Sequence, residues 1–209
     1  MAEARRSTEL RQVELADAAL HIIATRGISE LTTRSLAEQV GLTSGAIFRH
    51  FASLEAVLDA VVGRVEAVLE ATYPPPELLP RERLERFIEA RTVAVGSQVG
   101  ILRLMLSDQF LLALPEGGSA RLAACRQKTR EFIRAAVQEG QEAGELRSDL
   151  DAGTLATVVM GTMQMLALAT ATARQHRDEA RTVREGLLTL LRPPAPKAPR
   201  SKGNKRKST

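Results

Sequence analysis

The sequence has little of several residue types, and each shortage excludes a class of protein. Its one cysteine, Cys125, excludes an internal disulfide and a cysteine-based zinc site. There is no tryptophan and aromatic residues make up 3% of the chain, whereas alanine, leucine, glutamate and arginine are abundant, which favours helices over strands. The opening residues MAEARRSTEL lack the apolar core of an export signal, so a cytoplasmic protein is expected.

Catalytic and metal-binding patterns are also missing. The sequence contains no G-x-S-x-G, no H-E-x-x-H and no Walker loop. The three histidines, His21, His50 and His176, lie far apart along the chain, which argues against a metal site. We therefore expect a protein that is not an enzyme and needs no cofactor.

Basic charge is concentrated at one end of the chain. The formal net charge is +4, but six of the 29 basic residues and no acidic residue lie in segment 193–209. This leaves 23 basic against 25 acidic residues elsewhere, and residues 1–52 carry six of each. Binding of a polyanion by this part of the chain would therefore depend on individually placed donors and helix N-termini, because bulk charge does not supply it.

Segment 32–53, TTRSLAEQVGLTSGAIFRHFAS, has the pattern of a short helix, a tight turn and a second helix. Thr32 or Thr33 is suited to cap the first helix, and Thr43 or Ser44 the second. Gly41 stands where the first helix must stop, and glycine adopts the left-handed conformation of such a stop without steric strain. The segment is interpreted as a helix-turn-helix.

The two faces of the second helix differ in character. Ile47, Phe48 and Phe51 are predicted to face inward. The outward face carries small residues followed by hydrogen-bond donors, a combination that lets a helix enter a major groove and reach base edges. Its members are Ser44, Gly45, Ala46, Arg49 and His50.

The sequence GISELTTRSLAEQVGLTSGAIFRHF, followed by a long apolar helix, closely resembles the N-terminal domain of the TetR family of transcriptional regulators. The resemblance covers roughly residues 10–62. It implies an all-α fold, with a three-helix helix-turn-helix DNA-binding domain followed by a helical effector-binding and dimerisation domain. It also implies a dimeric repressor that a small-molecule effector releases from a pseudo-palindromic operator in double-stranded DNA. The alternative is a DNA-binding structural or assembly factor on the same scaffold, whose C-terminal domain docks a protein partner.

Two residues depart from the family pattern. Phe48 stands where a tyrosine is usual, and Leu54 stands where a lysine usually begins the next helix. Both changes remove a customary contact to a phosphate. Arg34 holds a position that the family uses for DNA contact. The predicted DNA-binding residues are Thr33, Arg34, Thr43, Ser44, Gly45, Ala46, Phe48, Arg49 and His50.

Composition and spacing divide the chain into four predicted parts. A disordered arm, residues 1–9, precedes the helix-turn-helix domain at 10–52, the helical domain at 53–192 and a disordered basic tail at 193–209. Arg5 and Arg6 in the arm either reach DNA or stay solvated, and the same alternatives apply to the tail. Helices are predicted at 10–25, 32–40, 43–51, 54–73, 81–98, 101–114, 119–142, 152–173 and 178–191.

The stretch 152–173, AGTLATVVMGTMQMLALATATA, has no charged residue. Its six polar side chains and the absence of a basic flank argue against a membrane span. A helix that is uncharged all round must still be buried on most sides. We therefore expect a homodimer in which this helix and the one at 178–191 form a four-helix interface.

The resemblance implies an effector pocket in the second domain. Side chains at helical spacing are candidates to line it: Phe87, Arg91, Met105, Gln109, Phe110, Met160, Met163 and Gln164. Methionine and phenylalanine at this spacing also fit an ordinary core, so both interpretations stay open.

Overall fold

The structure, a computed structural model, describes residues 2–172 and 176–194, and the regular elements within these residues are all helical. The helix-turn-helix part comprises α1 (Ala2–Arg26), a 3-10 turn (Ile28–Glu30), α2 (Thr33–Val40) and α3 (Ser44–Ile47). The remaining elements are α4 (Leu54–Glu70), α5 (Pro80–Ser97), α6 (Val99–Leu106), α7 (Asp108–Ala113), α8 (Gly118–Glu142), α9 (Ala152–Thr172) and α10 (His176–Leu190). The all-α fold is confirmed.

Helix α1 begins eight residues before its predicted start. The arm predicted to be disordered is helical from Ala2 onward, because alanine, glutamate and arginine favour helix and no glycine or proline interrupts them. Its early apolar residues Leu10 and Val13 are exposed, whereas Leu20 and Ile23 further along the helix are buried.

Short-range contacts form the helix-turn-helix as the sequence predicts. The Thr32 hydroxyl accepts a hydrogen bond from the Ser35 amide at 3.0 Å, and the Ser35 hydroxyl accepts one from the Thr32 amide at 3.0 Å. This reciprocal capping box starts α2. Gly41 ends the helix in the left-handed region at φ 67° and ψ 33°, and the Leu42 amide then donates to the Ala37 carbonyl at 2.9 Å.

The Thr32 cap makes a testable contribution to stability. Thr32→Ala is expected to lower the free energy of unfolding by about 1 kcal/mol, because it leaves the Ser35 amide without its acceptor. Urea unfolding of the purified protein measures this difference. Thr43→Ala is the matched control, since the Thr43 side chain makes no capping hydrogen bond at the start of α3. Equal losses in the two variants would contradict the capping argument.

Helix α3 is shorter than predicted. Its α-helical part covers only Ser44–Ile47, and the chain continues in tighter turns in which the Arg49 amide donates to Ala46 and the His50 amide to Ile47. Neither Thr43 nor Ser44 supplies a side-chain cap. Ile47 and Phe51 are buried as predicted, but Phe48 is 53% exposed and the prediction that it faces inward is wrong. The tighter turn rotates this side chain away from the core.

One apolar core joins the helix-turn-helix to the helices that follow it. Buried side chains of α1, α2 and α4 form a single cluster with Ile101, Leu104 and Phe110. Gly100 permits the close approach of α6 to α1, because a Cβ atom there would lie 2.8 Å from Cγ of Leu20. The predicted boundary at residue 53 therefore separates two units that share a packed contact.

A second core lies among α5, α8, α9 and α10. It is built on Phe87, Ile88, Ile133, Val159 and Leu187. Helix α5 begins at Pro80, which suits the first turn of a helix because proline has no amide hydrogen to satisfy. The helix predicted at 101–114 is divided in two, because Ser107 is extended and its hydroxyl caps α7 by accepting from the Phe110 amide at 3.3 Å.

The uncharged stretch forms one continuous helix, α9. The Thr157 and Thr162 hydroxyls donate to the carbonyls of Gly153 and Val158, four residues earlier, at 3.0 and 2.9 Å. These polar groups are thus satisfied within the helix itself. Across the described part of the chain, no helix combines the length and the apolar character that crossing a membrane requires.

Candidate nucleic-acid interface and effector cavity

Helices α2 and α3 present one polar surface that is open to solvent. Thr43, Ser44, Gly45 and Arg49 are exposed, and Ala46 is half-buried. Arg34 and Thr33 lie in the first turn of α2, where Arg34 is exposed and Thr33 half-buried. The residues predicted to bind DNA therefore include two exposed arginines and a run of small residues at the start of α3.

Arg34 forms an exposed ion pair with Glu38. Its side chain is 86% exposed, and its Nε atom donates to Glu38 Oε1 at 2.9 Å, one turn along α2. An exposed ion pair of this kind contributes little to stability. The guanidinium can therefore exchange the carboxylate for a phosphate or a guanine edge without disturbing the fold.

The end of α3 is fixed from α1. Gln12 Nε2 donates to the backbone carbonyl of His50 at 2.9 Å, a positioning contact that the sequence did not reveal. The His50 ring is half-buried and its Nδ1 atom has no hydrogen-bond partner among the described residues. Phe48 beside it is exposed, which leaves an aromatic ring on the same surface as Arg49.

The start of α4 carries a capping serine. Ser53 caps this helix, with its hydroxyl accepting from the Ala56 amide at 3.2 Å. Leu54 is half-buried and packs against the first core. The position that usually carries a basic side chain in the resembled family therefore contributes packing here.

Ion pairs tie α4 to its neighbours. Arg64 Nε donates to Asp17 Oδ1 of α1 at 2.7 Å. Arg121 of α8 donates to Asp59 Oδ1 at 2.6 Å and through Nε to Glu66 Oε1 at 2.9 Å. Because these contacts join residues about fifty to sixty positions apart, spacing in the sequence gives no signal of them. They connect α4 to α1 on one side and to α8 on the other.

A cavity of about 60 Å³ lies where α4, α5, α6, α8 and α9 meet. Five predicted pocket residues line it: Arg91, Met105, Met160, Met163 and Gln164. Five further lining residues were missed, namely Leu69, Val95, Arg126, Thr129 and Ala167. Leu69 belongs to the end of α4, so this helix runs from the candidate DNA surface to the cavity.

Three predicted pocket residues do not line this cavity. Phe87 is fully buried in the second core, where its ring centre lies 5.3 Å from that of Tyr73 and 4.5 Å from that of Phe132. Gln109 and Phe110 line a separate open cleft between the end of α1 and α7. Ser107 ends α6 and is extended. Gln109 and Phe110 therefore belong to a separate helix, α7, and do not line the same cavity as Arg91.

Arg91 is the unusual member of the cavity. It is 5% exposed, and its Nε and Nη2 atoms have no hydrogen-bond partner among the described residues. Its guanidinium carbon lies 5.1 Å from the ring centre of Tyr73 and 4.9 Å from that of Phe87. Burial lowers the pKa of Arg91, and the neighbouring Tyr73 opposes this shift. Cation–π contacts contribute about 2 kcal/mol each when desolvated, which offsets part of the several kcal/mol that burying an ion costs.

Helices α9 and α10 each leave an uncharged stripe exposed. Thr157, Val158, Gly161, Met165 and Leu168 form the stripe on α9, and Thr182, Val183, Gly186 and Leu190 form the one on α10. Met165 is 65% exposed. Ala167, which lies in the uncharged stretch expected to form the dimer interface, faces inward with 4% exposure and lines the cavity.

No arrangement of potential metal ligands stands out. Within residues 2–172 and 176–194, no three histidine, cysteine, aspartate or glutamate side chains are grouped as a metal ion would require.

Two family models match the chain, and together they span more than half of it. The model for bacterial regulatory proteins of the tetR family matches residues 15–61. The model for a tetracyclin repressor-like C-terminal domain matches residues 113–185. The two matches fall on the helix-turn-helix part and on the helices that follow α7.

Individual proteins give a consistent result. The HTH-type transcriptional regulator SrpR of Pseudomonas putida is 28% identical over 162 residues, which are 76% of this chain and 73% of SrpR. The structure of the ketosteroid regulator KstR2 of Mycobacterium tuberculosis superposes with a TM-score of 0.68 at 22% identity, covering 87% of this chain and 95% of KstR2. A structure of AibR with isovaleryl coenzyme A and operator DNA gives 0.71 at 17% identity, covering 88% and 100%.

Proposed function

Because the chain belongs to the TetR family of bacterial transcriptional regulators, we propose that it is a homodimeric repressor released from its operator by a small-molecule effector. The observation that carries this proposal is the exposed surface of α2 and α3. There Arg34 and Arg49 flank the small residues Ser44 and Gly45. Small residues allow α3 to approach the floor of a major groove, and the two arginines supply donors for base edges and phosphates.

The proposed dimer uses the uncharged stripes of α9 and α10. Exposed apolar residues on two neighbouring helices are best covered by the same surface of a second copy, since a two-fold interface is self-complementary. Gly161 and Gly186 lie on these stripes and have open space around them. Two helices from each subunit would then form a four-helix interface.

A dimer of this kind would place one α3 in each of two major grooves. The operator is therefore expected to be pseudo-palindromic, with half-site centres about 34–36 Å apart or a multiple of that distance. Selecting bound duplexes from a random pool with the purified protein tests this. Enrichment of two related half-sites is the expected result, and a pool that stays random after repeated rounds would contradict the proposal.

Effector release is supported by the position of the cavity. Leu69 of α4 lines it, and α4 is tied to α1 through Arg64 and Asp17. A ligand that displaces Leu69 would tilt α4 and change the orientation of the DNA-binding surface. The structure of AibR with isovaleryl coenzyme A and operator DNA shows that a protein of this fold holds both an organic ligand and DNA. A cavity among the helices favours a small molecule over a docked protein.

The loss of two customary phosphate contacts suggests a role for the basic tail, most of which, residues 195–209, lies outside the described residues. Deleting 193–209 is expected to lower affinity for all duplexes by a similar factor. It should also flatten the slope of log affinity against log salt, because the tail's six cations release counterions from nearby DNA. Filter binding at several salt concentrations measures both quantities, and an unchanged slope would rule out a role for the tail.

Leu54→Lys in the truncated protein tests the missing contact separately. It is expected to restore part of the affinity and to add about one unit to the salt slope, because one phosphate is newly contacted. Leu54→Met is the matched control, since methionine, like lysine, has a long unbranched side chain but stays apolar and uncharged. The preference for the operator sequence should be the same in all variants.

A further inference from the structure

The cavity has a marked imbalance of charge. Among the described residues, its lining includes Arg91 and Arg126 and contains no aspartate or glutamate. Arg126 already donates from Nη1 to the Met105 carbonyl at 3.2 Å, whereas Arg91 has two buried nitrogen atoms without a hydrogen-bond partner among the described residues. A buried cation without a carboxylate partner is an unsatisfied position that an anion would complete.

Two acidic side chains of α4 near Tyr73 and Cys125 are already paired. Lys128 Nζ lies 2.6 Å from Glu70 Oε2, and Glu66 is paired with Arg121. Lys128 also lies over the outer face of Tyr73, 4.8 Å from the ring centre, while Arg91 lies 5.1 Å from the same ring. The acids at this end of α4 are therefore already neutralised by basic partners outside the cavity.

The remaining lining limits what kind of anion fits. Leu69, Val95, Met105, Met160, Met163 and Ala167 provide an apolar wall, and Thr129 and Gln164 are its other polar residues. A volume of about 60 Å³ has room for only about four water molecules. A larger ligand must therefore displace side chains. Methionine is suited to this because its unbranched side chain adopts many conformations at little cost.

We propose that the effector is a compact organic carboxylate, whose acid group binds the buried guanidinium of Arg91 and whose apolar body displaces the methionine side chains around it. This inference rests on the proposed effector-release function and specifies its ligand class. A carboxylate accepts two parallel hydrogen bonds from a guanidinium, which matches the two unpartnered nitrogen atoms. An inorganic anion would leave the apolar wall uncovered.

The test uses the full-length protein, its selected operator, and three pairs of probes: butanoate with 1-butanol, hexanoate with 1-hexanol, and octanoate with 1-octanol. Binding is measured by titration calorimetry and release by loss of the operator complex. At least one acid is expected to bind ten times more tightly than its alcohol and to weaken operator binding. If no acid binds better than its alcohol, the inference is overturned.

Arg91→Met removes the charge while keeping a long side chain, and it should remove the preference for acid over alcohol. Its unliganded melting temperature should stay the same or rise, because an unpaired buried charge is gone. Arg91→Lys is expected to retain part of the preference. Arg130→Met, on the exposed face of α8, is the matched control and should keep the full preference. An acid that binds equally well to wild type and Arg91→Met would overturn the inference.

Two results separate this inference from the function on which it rests. If hexanoyl-coenzyme A or an alcohol releases the operator while the free acids do not, effector release stands and the carboxylate assignment fails. If the protein selects no operator from the random pool, the proposed function itself fails. Binding of hexanoate with Arg91-dependent acid preference would still support the ligand assignment in that case.

Discussion

Replacing Arg34 or Arg49 by alanine is expected to weaken binding to the selected operator by about 1–3 kcal/mol each if the side chain reads a base edge. Arg34 lies in the first turn of α2 and Arg49 directly after α3, and both are exposed. Neither side chain packs against the core, so circular dichroism and the melting temperature should be unchanged. Fluorescence anisotropy with labelled operator at fixed salt measures the affinity.

The chain offers a matched control for Arg34. Arg86 on α5 makes the same kind of exposed pair, with Nη2 2.6 Å from Glu82 Oε1 one turn away, but it lies outside the DNA-binding surface. Arg86→Ala is therefore expected to bind like the wild type. Glu38→Gln should leave affinity unchanged or increase it, because the guanidinium of Arg34 loses its competing partner. Wild-type affinity in both Arg34→Ala and Arg49→Ala would refute the docking of α2 and α3 on DNA.

The second large effect is expected at the dimer interface. Gly161→Asp introduces a charge into the exposed stripe of α9, where the added side chain meets no atom of its own subunit within 4 Å. In a dimer the charge would be buried without a partner, at a cost of several kcal/mol. Sedimentation velocity should therefore show folded monomers, and affinity for a two-site operator should fall because the two halves are no longer linked.

Ala167→Asp is a control that separates loss of the dimer from unfolding of the subunit. Ala167 lies six residues further along α9 but faces the cavity and the core of its own subunit. A charge there should lower the melting temperature itself instead of producing a folded monomer. Ala123→Asp on the exposed face of α8 is expected to change neither property. An intact dimer of Gly161→Asp would show that α9 does not form the interface.

Features that depend on near neighbours in the chain could be predicted from the sequence. The Thr32 cap, the left-handed Gly41 and the Ser53 cap each require only a hydroxyl or a glycine within a few residues of a helix end. The three prolines at 74–76 likewise separate α4 from α5. The family could also be predicted from segment 32–53, because its residue types and their spacing together are specific.

Features that depend on which helix faces pack together could not be predicted. Helical spacing predicts that Phe48 faces inward, yet the tight turn after α3 exposes it. The lack of charge assigns the whole stretch 152–173 to the dimer interface, yet Ala167 within it lines the cavity. Likewise, the break at Ser107 separates Phe110 and Gln109 from Arg91.

The sequence by itself determined the all-helical fold, the caps at Thr32 and Ser53, the stop at Gly41 and the family, because these follow from residues that are close in the chain. The tertiary structure alone decided which side chains share a cavity, because Leu69, Arg91, Met105, Arg126 and Met163 come from five different helices. It also decided that the Arg91 guanidinium is buried beside aromatic rings and that the described residues lining this cavity include no carboxylate. Periodicity along one helix contains no information about the charge that the other four bring to the same space.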